Sequence, residues 1–191
     1  PRIPLLGDAE RGISETAVFD VESREKTVIR LPEGWQFHVP AFAWSADGER
    51  AWGLATTRAQ QDIALVEIDL ANGATRFVVR ESTPVWGRFN AFVYSPPNVR
   101  ILESSGEALW FSERDGWGQI YLYDLTSGEL KRKLTSGERT VRDIIAVDEA
   151  RRRLFFTVGG TDADPDPYHV RAYSVSLDGG AQQLLTPEPA L

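Results

Sequence analysis

Apolar and polar residues alternate along this chain in runs of about five, and no stretch keeps a helical period over three turns. The pattern predicts short strands and an all-β fold. Four segments read strand, turn, strand: TAVFDVESREKTVIRL (16–31), IALVEIDLANGATRFVV (63–79), QIYLYDLTSGELKRKL (119–134) and RAYSVSLDGGAQQLL (171–185). Asn72-Gly73, Ser127-Gly128 and Gly179-Gly180 put glycine where a tight turn needs a positive φ. The first segment has Ser23-Arg24 there, which predicts a different type of turn.

A second kind of unit precedes each of the last three hairpins: AFAWSADGERAWGLATT (41–57), NVRILESSGEALWFSER (98–114) and DIIAVDEARRRLFFTVG (143–159). Each is an apolar strand, an acidic or glycine-bearing turn, then a strand with paired large apolar residues. The third has Arg151 where the others have glycine. The repeat is therefore four strands long. Its period is 55 residues from Gly73 to Gly128 (128 − 73) and 52 from Gly128 to Gly180 (180 − 128). Four-stranded units at such spacing are the sign of β-propeller blades. A β-sandwich also has many short strands, but it needs no matching four-strand period. The predicted fold is a partial β-propeller of about three full blades plus one hairpin. Residues 1–38 hold the last hairpin of a blade and a linker, and 39–82, 83–140 and 141–191 hold one blade each. The three sheets are expected over roughly 39–82, 89–138 and 141–186, with strands in chain order. A closed ring needs at least four blades, so an arc with open edges is expected to be marginal or self-associating without the rest.

Composition narrows the function. The chain has 191 residues, 42% of them hydrophobic and 26% charged, as in an ordinary globular domain. No apolar run approaches the roughly 18–20 residues that span a membrane. The start, PRIPLLGDAERG, lacks the basic and apolar regions of a signal peptide. Methionine is absent, even as initiator, which points to a fragment or a processed piece. Cysteine is absent too, which excludes disulfides, thiolate catalysis and cysteine-based metal sites. The net charge of -7 and the lack of a basic patch argue against a nucleic-acid partner. The clusters KRK (131–133) and RRR (151–153) read as solvated turn or edge charges.

The candidate catalytic and metal motifs are incomplete. GISET (12–16) lacks the second glycine and the following helix of a serine-hydrolase nucleophile elbow. The two histidines, His38 and His169, lie in strand or loop contexts. Asp162, Asp164 and Asp166 alternate as calcium ligands can, but prolines fill the positions between 164 and 168 and the turn glycine is missing, so an extended hairpin loop is expected. No cofactor and no metal site is expected. Trp44, Trp52 and Trp110 sit in strand patterns and read as core; Trp35, Trp86 and Trp117 sit in connecting or turn segments. VWGRFNAFVYSPPNVR (85–100) interrupts the strand spacing between two blades, where a connection lines the face or channel of a propeller or else is a well-packed linker.

WFSERDGWGQIYLYDLTSGELKRKLTSGE (110–138) resembles the propeller of the dipeptidyl peptidase IV branch of the prolyl oligopeptidase family, in its Ser-Glu-Arg-Asp-Gly, its aromatic, its Leu-Tyr-aliphatic run and its Leu-Thr-Ser-Gly exit. FFTVGGTDADPDPYHVRAYSVSLDGGAQQLLTPE (155–188) continues the likeness and VPAFAWSADGERAWG (39–53) fits the preceding blade; it is weakest over 1–34. The resemblance implies a parent that is a serine exopeptidase removing X-Pro or X-Ala dipeptides from peptide N-termini. Its propeller, typically eight-bladed, would cap an α/β-hydrolase domain bearing the Ser-Asp-His triad. That domain, peptide substrates and a homodimeric parent are the implied partners, and the chain itself carries no triad. The family's substrate-amine clamp is a glutamate pair, and no Glu-Glu occurs here. In the family a Gly-Arg-Phe after Trp brings Phe toward the substrate entrance. WGRF (86–89) matches and nominates Phe89, with Arg88 beside it, as substrate-binding; Asn90 replaces the basic residue that follows in the family. The reading is a non-catalytic propeller that shapes access to a hydrolase, with Phe89 projecting into the inner cavity. The alternative is a protein-interaction propeller with no hydrolase. Neither compartment nor peptide specificity follows from the sequence.

Overall fold

A computed structural model describes residues 15–90, 95–159, 166 and 168–187 (for 40 and 41, the backbone alone). Fourteen strands are found among them. β1 (Thr16–Phe19) and β2 (Lys26–Ile29) form a two-stranded hairpin. β3 (Trp35–Trp44), β4 (Arg50–Thr57), β5 (Asp62–Asp69) and β6 (Thr75–Ser82) form the first four-stranded sheet. β7 (Arg100–Leu102), β8 (Glu107–Ser112), β9 (Gln119–Asp124) and β10 (Leu130–Lys133) form the second, and β11 (Val141–Asp148), β12 (Arg153–Gly159), β13 (Val170–Ser176) and β14 (Gln183–Leu184) the third. Every pairing is antiparallel and each sheet follows chain order. The fold is an arc of a β-propeller. No helix among the described residues is long and apolar enough to cross a membrane.

Period-two alternation assigns each face of a blade to a different neighbour. On β4 and β5, Trp52, Leu54, Ile63 and Leu65 pack toward the second blade, while Ala51, Ala55, Ala64, Val66 and Ile68 pack against Ile29, Leu31 and Trp35. On β8, Ala108 and Trp110 face the first blade; Leu109 and Phe111 join Leu154, Phe156 and Val158 of the third. Both faces of the middle sheets are buried, which explains the near-continuous apolar runs in β4, β5, β8 and β9.

The tryptophans divide differently from the sequence reading. Trp52 and Trp110 are fully buried, but Trp44 is 55% exposed. It ends the edge strand β3, where only the two-stranded hairpin stands opposite, and it lines an open groove with Val18, Phe19 and Leu70. Trp35 belongs to β3 and stacks on Phe77 at 4.7 Å. Trp86 and Trp117 are exposed.

The hairpin turns also need one correction. Asp20, Asp69 and Asp124 open the same turn three times: their N–H groups donate to the carbonyls of Glu25, Ala74 and Glu129, and their carbonyls accept from Arg24, Gly73 and Gly128. Ser23-Arg24 therefore does not change the turn type; Arg24 takes the left-handed position, at φ 63, that Gly73 and Gly128 hold at 72 and 74. In the third blade the left-handed residue of the first turn is Arg152, one place beyond Arg151, with φ 49. The glycines meet a second demand. A Cβ on Gly73 would overlap the Val28 carbonyl oxygen of β2, and one on Gly128 would overlap that of Val78 in β6. Each turn thus rests on the last strand of the preceding unit. A non-glycine residue in the left-handed region costs about 1–2 kcal/mol. Arg24→Gly is expected to be stabilising by up to about 1 kcal/mol, whereas Gly73→Ala should cost about 2 kcal/mol or more, in thermal melts of the two variants.

Candidate functional site

The connection from β6 to β7 leaves the regular sheet pattern and carries WGRF. Its first half is sewn to the β4–β5 turn. Thr83 N–H donates to Gln61 O at 2.8 Å, Gly87 N–H to Gln60 O at 2.7 Å, and the Thr83 hydroxyl closes a small loop with Val85. Gly87 is pressed so close that a Cβ would meet Ile63 Cγ2 at 2.9 Å and Thr83 Cγ2 at 3.1 Å. Glycine at this place seats the backbone on the first blade and fixes the direction of Trp86 and Arg88. The second half is held by Asn98, which is buried. Its N–H donates to Phe89 O at 2.8 Å, its amide to Arg142 O at 2.8 Å, and its Oδ1 accepts from Ile144 N–H at 2.9 Å. Arg100 adds bonds to the Pro97, Val99 and Ile144 carbonyls, and burial lowers the pKa of its guanidinium. The linker reading and the site reading of this segment are thus compatible, because the packing of its ends presents its middle.

Two hollows flank that middle. One, of about 310 Å³, is lined by His38, Trp86, Arg88, Phe89, Asn90 and Pro97 among others. The other, of about 370 Å³, lies between Glu81–Arg88 and the β8–β9 turn, at Glu113, Arg114 and Gly116. Trp86, Gly87 and Arg88 belong to both and form the wall between them. Arg88 is exposed and its guanidinium lies 5.9 Å from the Trp86 ring centre. Phe89 is not turned away from the blades: it is 6% exposed, meets Trp110 edge-on at 5.8 Å and His38 at 5.3 Å, and sits in the core between the first two blades. It reaches the first hollow only as part of its lining. Asn90 bonds through its amide to the Ser95 and Pro96 carbonyls, so the residue that departs from the family pattern ties its own loop. Residues 91–94 of the segment lie outside the described residues.

The Ser-Glu-Arg-Asp-Gly motif is a blade clamp. Glu81, on the first blade, accepts from Trp110 Nε1 at 3.0 Å, Ser112 Oγ at 2.7 Å and Arg114 at 2.5 Å. The Arg114 guanidinium also covers the Tyr121 ring at 4.5 Å. Burial pulls its pKa down, but Glu81 and Tyr123 outweigh that and raise it. Asp115 accepts from the Tyr121 hydroxyl and Lys133, each at 2.6 Å. Burial and that bond push the Tyr121 hydroxyl far above its usual range. Nothing in the sequence marked Glu81, because its partners are 29–33 residues away.

The two basic clusters are ties between strands and blades as well as surface charges. Lys131 and Arg152 converge on Glu107, which is 1% exposed, with Arg152 at 2.9 Å. Arg152 also pairs with Asp178 at 2.9 Å. Burial alone would raise the Glu107 carboxyl; the Arg152 and Lys131 bonds prevail and bring it down to about 2. Lys133 holds Asp115, Arg132 donates to the Asp178 carbonyl, and Arg151 pairs with Asp148.

The weaker candidates add no chemistry. His38 is a lining residue stacked on Phe89. His169 N–H donates to the Asp166 carbonyl at 3.1 Å in a bend before β13. Asp162 and Asp164 and most of GISET lie outside the described residues. No group of three potential metal ligands occurs among the described residues.

A sequence model of the family described as the dipeptidyl peptidase IV (DPP IV) N-terminal region matches residues 7–190. Among solved structures, Porphyromonas gingivalis dipeptidyl peptidase 4 superposes with a TM-score of 0.70 at 19% identity over 92% of this chain and 23% of that one. A putative dipeptidyl aminopeptidase IV from Bacteroides ovatus gives 0.64 at 14% identity over 88% of this chain and 25% of that one. TolB from Acinetobacter baumannii gives 0.54 at 17% identity over 90% and 37%. At these identities the likeness is one of fold, and the chain spans about a quarter of the length of the two peptidases.

Proposed function

The chain belongs to the family of dipeptidyl peptidase IV N-terminal regions, and from that membership we propose that it is the access-shaping propeller of a serine exopeptidase that releases X-Pro or X-Ala dipeptides. The hydrolytic chemistry belongs to an α/β-hydrolase domain elsewhere in the parent. The role of this part is steric: rigid blades admit an extended peptide end and keep folded proteins from the catalytic serine. Arg88 and Phe89 contribute to peptide contact at the WGRF segment.

The observation that carries the reading is the family match across nearly the whole chain, at a blade order that runs without interruption through WGRF. Gly87, which seats the segment on the β4–β5 turn, gives that contact a fixed position, as a preorganised binding group requires.

The test compares parent and part. The full-length parent is expected to turn over Gly-Pro and Ala-Pro chromogenic substrates and to react with a fluorophosphonate probe. This chain alone is expected to do neither. Turnover by the chain alone, with a labelled serine, would defeat the assignment. A parent without X-Pro activity would move the protein to the alternative, a binding propeller without a hydrolase.

A further inference from the structure

Arg88 combines three features. Its backbone is fixed by the Gly87 contact with the β4–β5 turn. Its guanidinium is supported by the Trp86 ring, and no ion pair holds it among the described residues, whereas Arg114 across the second hollow is bound to Glu81. Its two hollows also differ in charge. The second is lined by Glu81 and Glu113, but no carboxylate lines the first. On a chain of net charge -7, a concave site with one guanidinium and no acid selects for an anion. Guanidinium backed by an aromatic ring keeps its fork of N–H donors free for a planar, bidentate acceptor. The aromatic and apolar remainder of the hollow, Trp86, Phe89, Val39 and Pro97, suits a peptide better than an inorganic ion.

We propose that Arg88 is a carboxylate receptor in the first hollow, taking an acidic side chain or the free C-terminus of a bound peptide. This rests on the peptidase reading above and names a substrate preference within it: peptides with a carboxylate downstream of the released dipeptide. Glu113 disfavours the second hollow for the same group.

The experiment uses the full-length parent and two sets of Ala-Pro peptides. In one set a single Glu, or Gln as control, is walked through the positions after proline in C-terminally amidated peptides. The other set compares free-acid and amidated peptides of increasing length. At an ionic strength of about 0.02 M, one Glu position or one length is expected to show a KM about three- to tenfold lower than its neutral control, and the gap should shrink at about 0.5 M. Arg88→Met should remove the gap and Arg88→Lys keep part of it, both with the melting temperature of the wild type. A Glu-position effect identifies a side-chain carboxylate; a length effect with free acids identifies the C-terminus. Equal KM values throughout both sets, or a gap that survives Arg88→Met, would overturn the proposal. If no peptide is cleaved, the peptidase reading has failed, and titration calorimetry with the same pairs decides the receptor separately: tighter binding of the carboxylate member, lost in Arg88→Met, supports it, and equal binding removes it.

Discussion

Phe89→Ala in the full-length protein is expected to lower stability by about 3–5 kcal/mol, an effect seen as a clear fall in melting temperature. The ring is buried between the first two blades, edge-on to Trp110 and beside His38, in a core that also contains Trp52, Leu54, Val79 and Val99. Truncation loses the transfer energy of the ring and leaves a hole that the neighbours cannot close, because the Asn98 bond to the Phe89 carbonyl holds the backbone in place. Phe89→Leu separates packing from recognition. It fills most of the volume, so it should recover most of the stability. If the ring also touches the peptide, KM for Ala-Pro substrates should still rise in Phe89→Leu; an unchanged KM would leave Phe89 a purely structural residue and Arg88 as the contact. A Phe89→Ala protein that melts like the wild type would contradict the packing.

The architecture was legible because it is periodic. Strand alternation, turn glycines and the recurrence of a four-strand unit all report local geometry, and local geometry repeats from blade to blade. The exceptions arise where one position answers to two constraints. Arg24 and Arg152 occupy left-handed positions that residue type alone assigns to glycine or asparagine, since hydrogen bonds around Asp20 hold the first and ion pairs to Glu107 and Asp178 hold the second. Trp44 matched a core strand pattern yet is exposed, because burial depends on what stands opposite the strand. The site was legible only in part. WGRF marked the segment, but not that Phe89 faces inward, nor that Gly87 rather than Phe89 sets its direction. Glu81 and Glu107 left no trace at all: an acidic residue in a strand reads as surface, and the cations that bury it come from a different hairpin or blade.

Glu107 carries the other large effect, at the joint between the second and third blades. Arg152→Met is expected to destabilise the protein by about 3 kcal/mol, since it leaves a fully buried carboxylate with Lys131 as its one remaining cation. Methionine keeps the aliphatic stem and the left-handed backbone demand, so the change isolates the charge. Acid should do the same without mutation. The folded carboxyl sits at about 2, below the ordinary value near 4.3, so the unfolded chain takes up the proton first as pH falls. The stabilisation is complete above about pH 5 and is lost progressively toward pH 2, on the order of 3 kcal/mol in all. Glu107→Gln should flatten that part of the stability curve while lowering it at neutral pH, because the amide cannot hold two cations. The double variant Glu107→Gln/Arg152→Met should cost less than the two single changes together, by about 1–3 kcal/mol, since each single change already breaks the same contact. Denaturant midpoints for the four proteins between about pH 2 and pH 7 test all of this at once. Strict additivity, or an acid slope that persists in Glu107→Gln, would show that the joint is held by the apolar contacts of Leu109, Phe111, Leu154 and Phe156 and not by the buried charge.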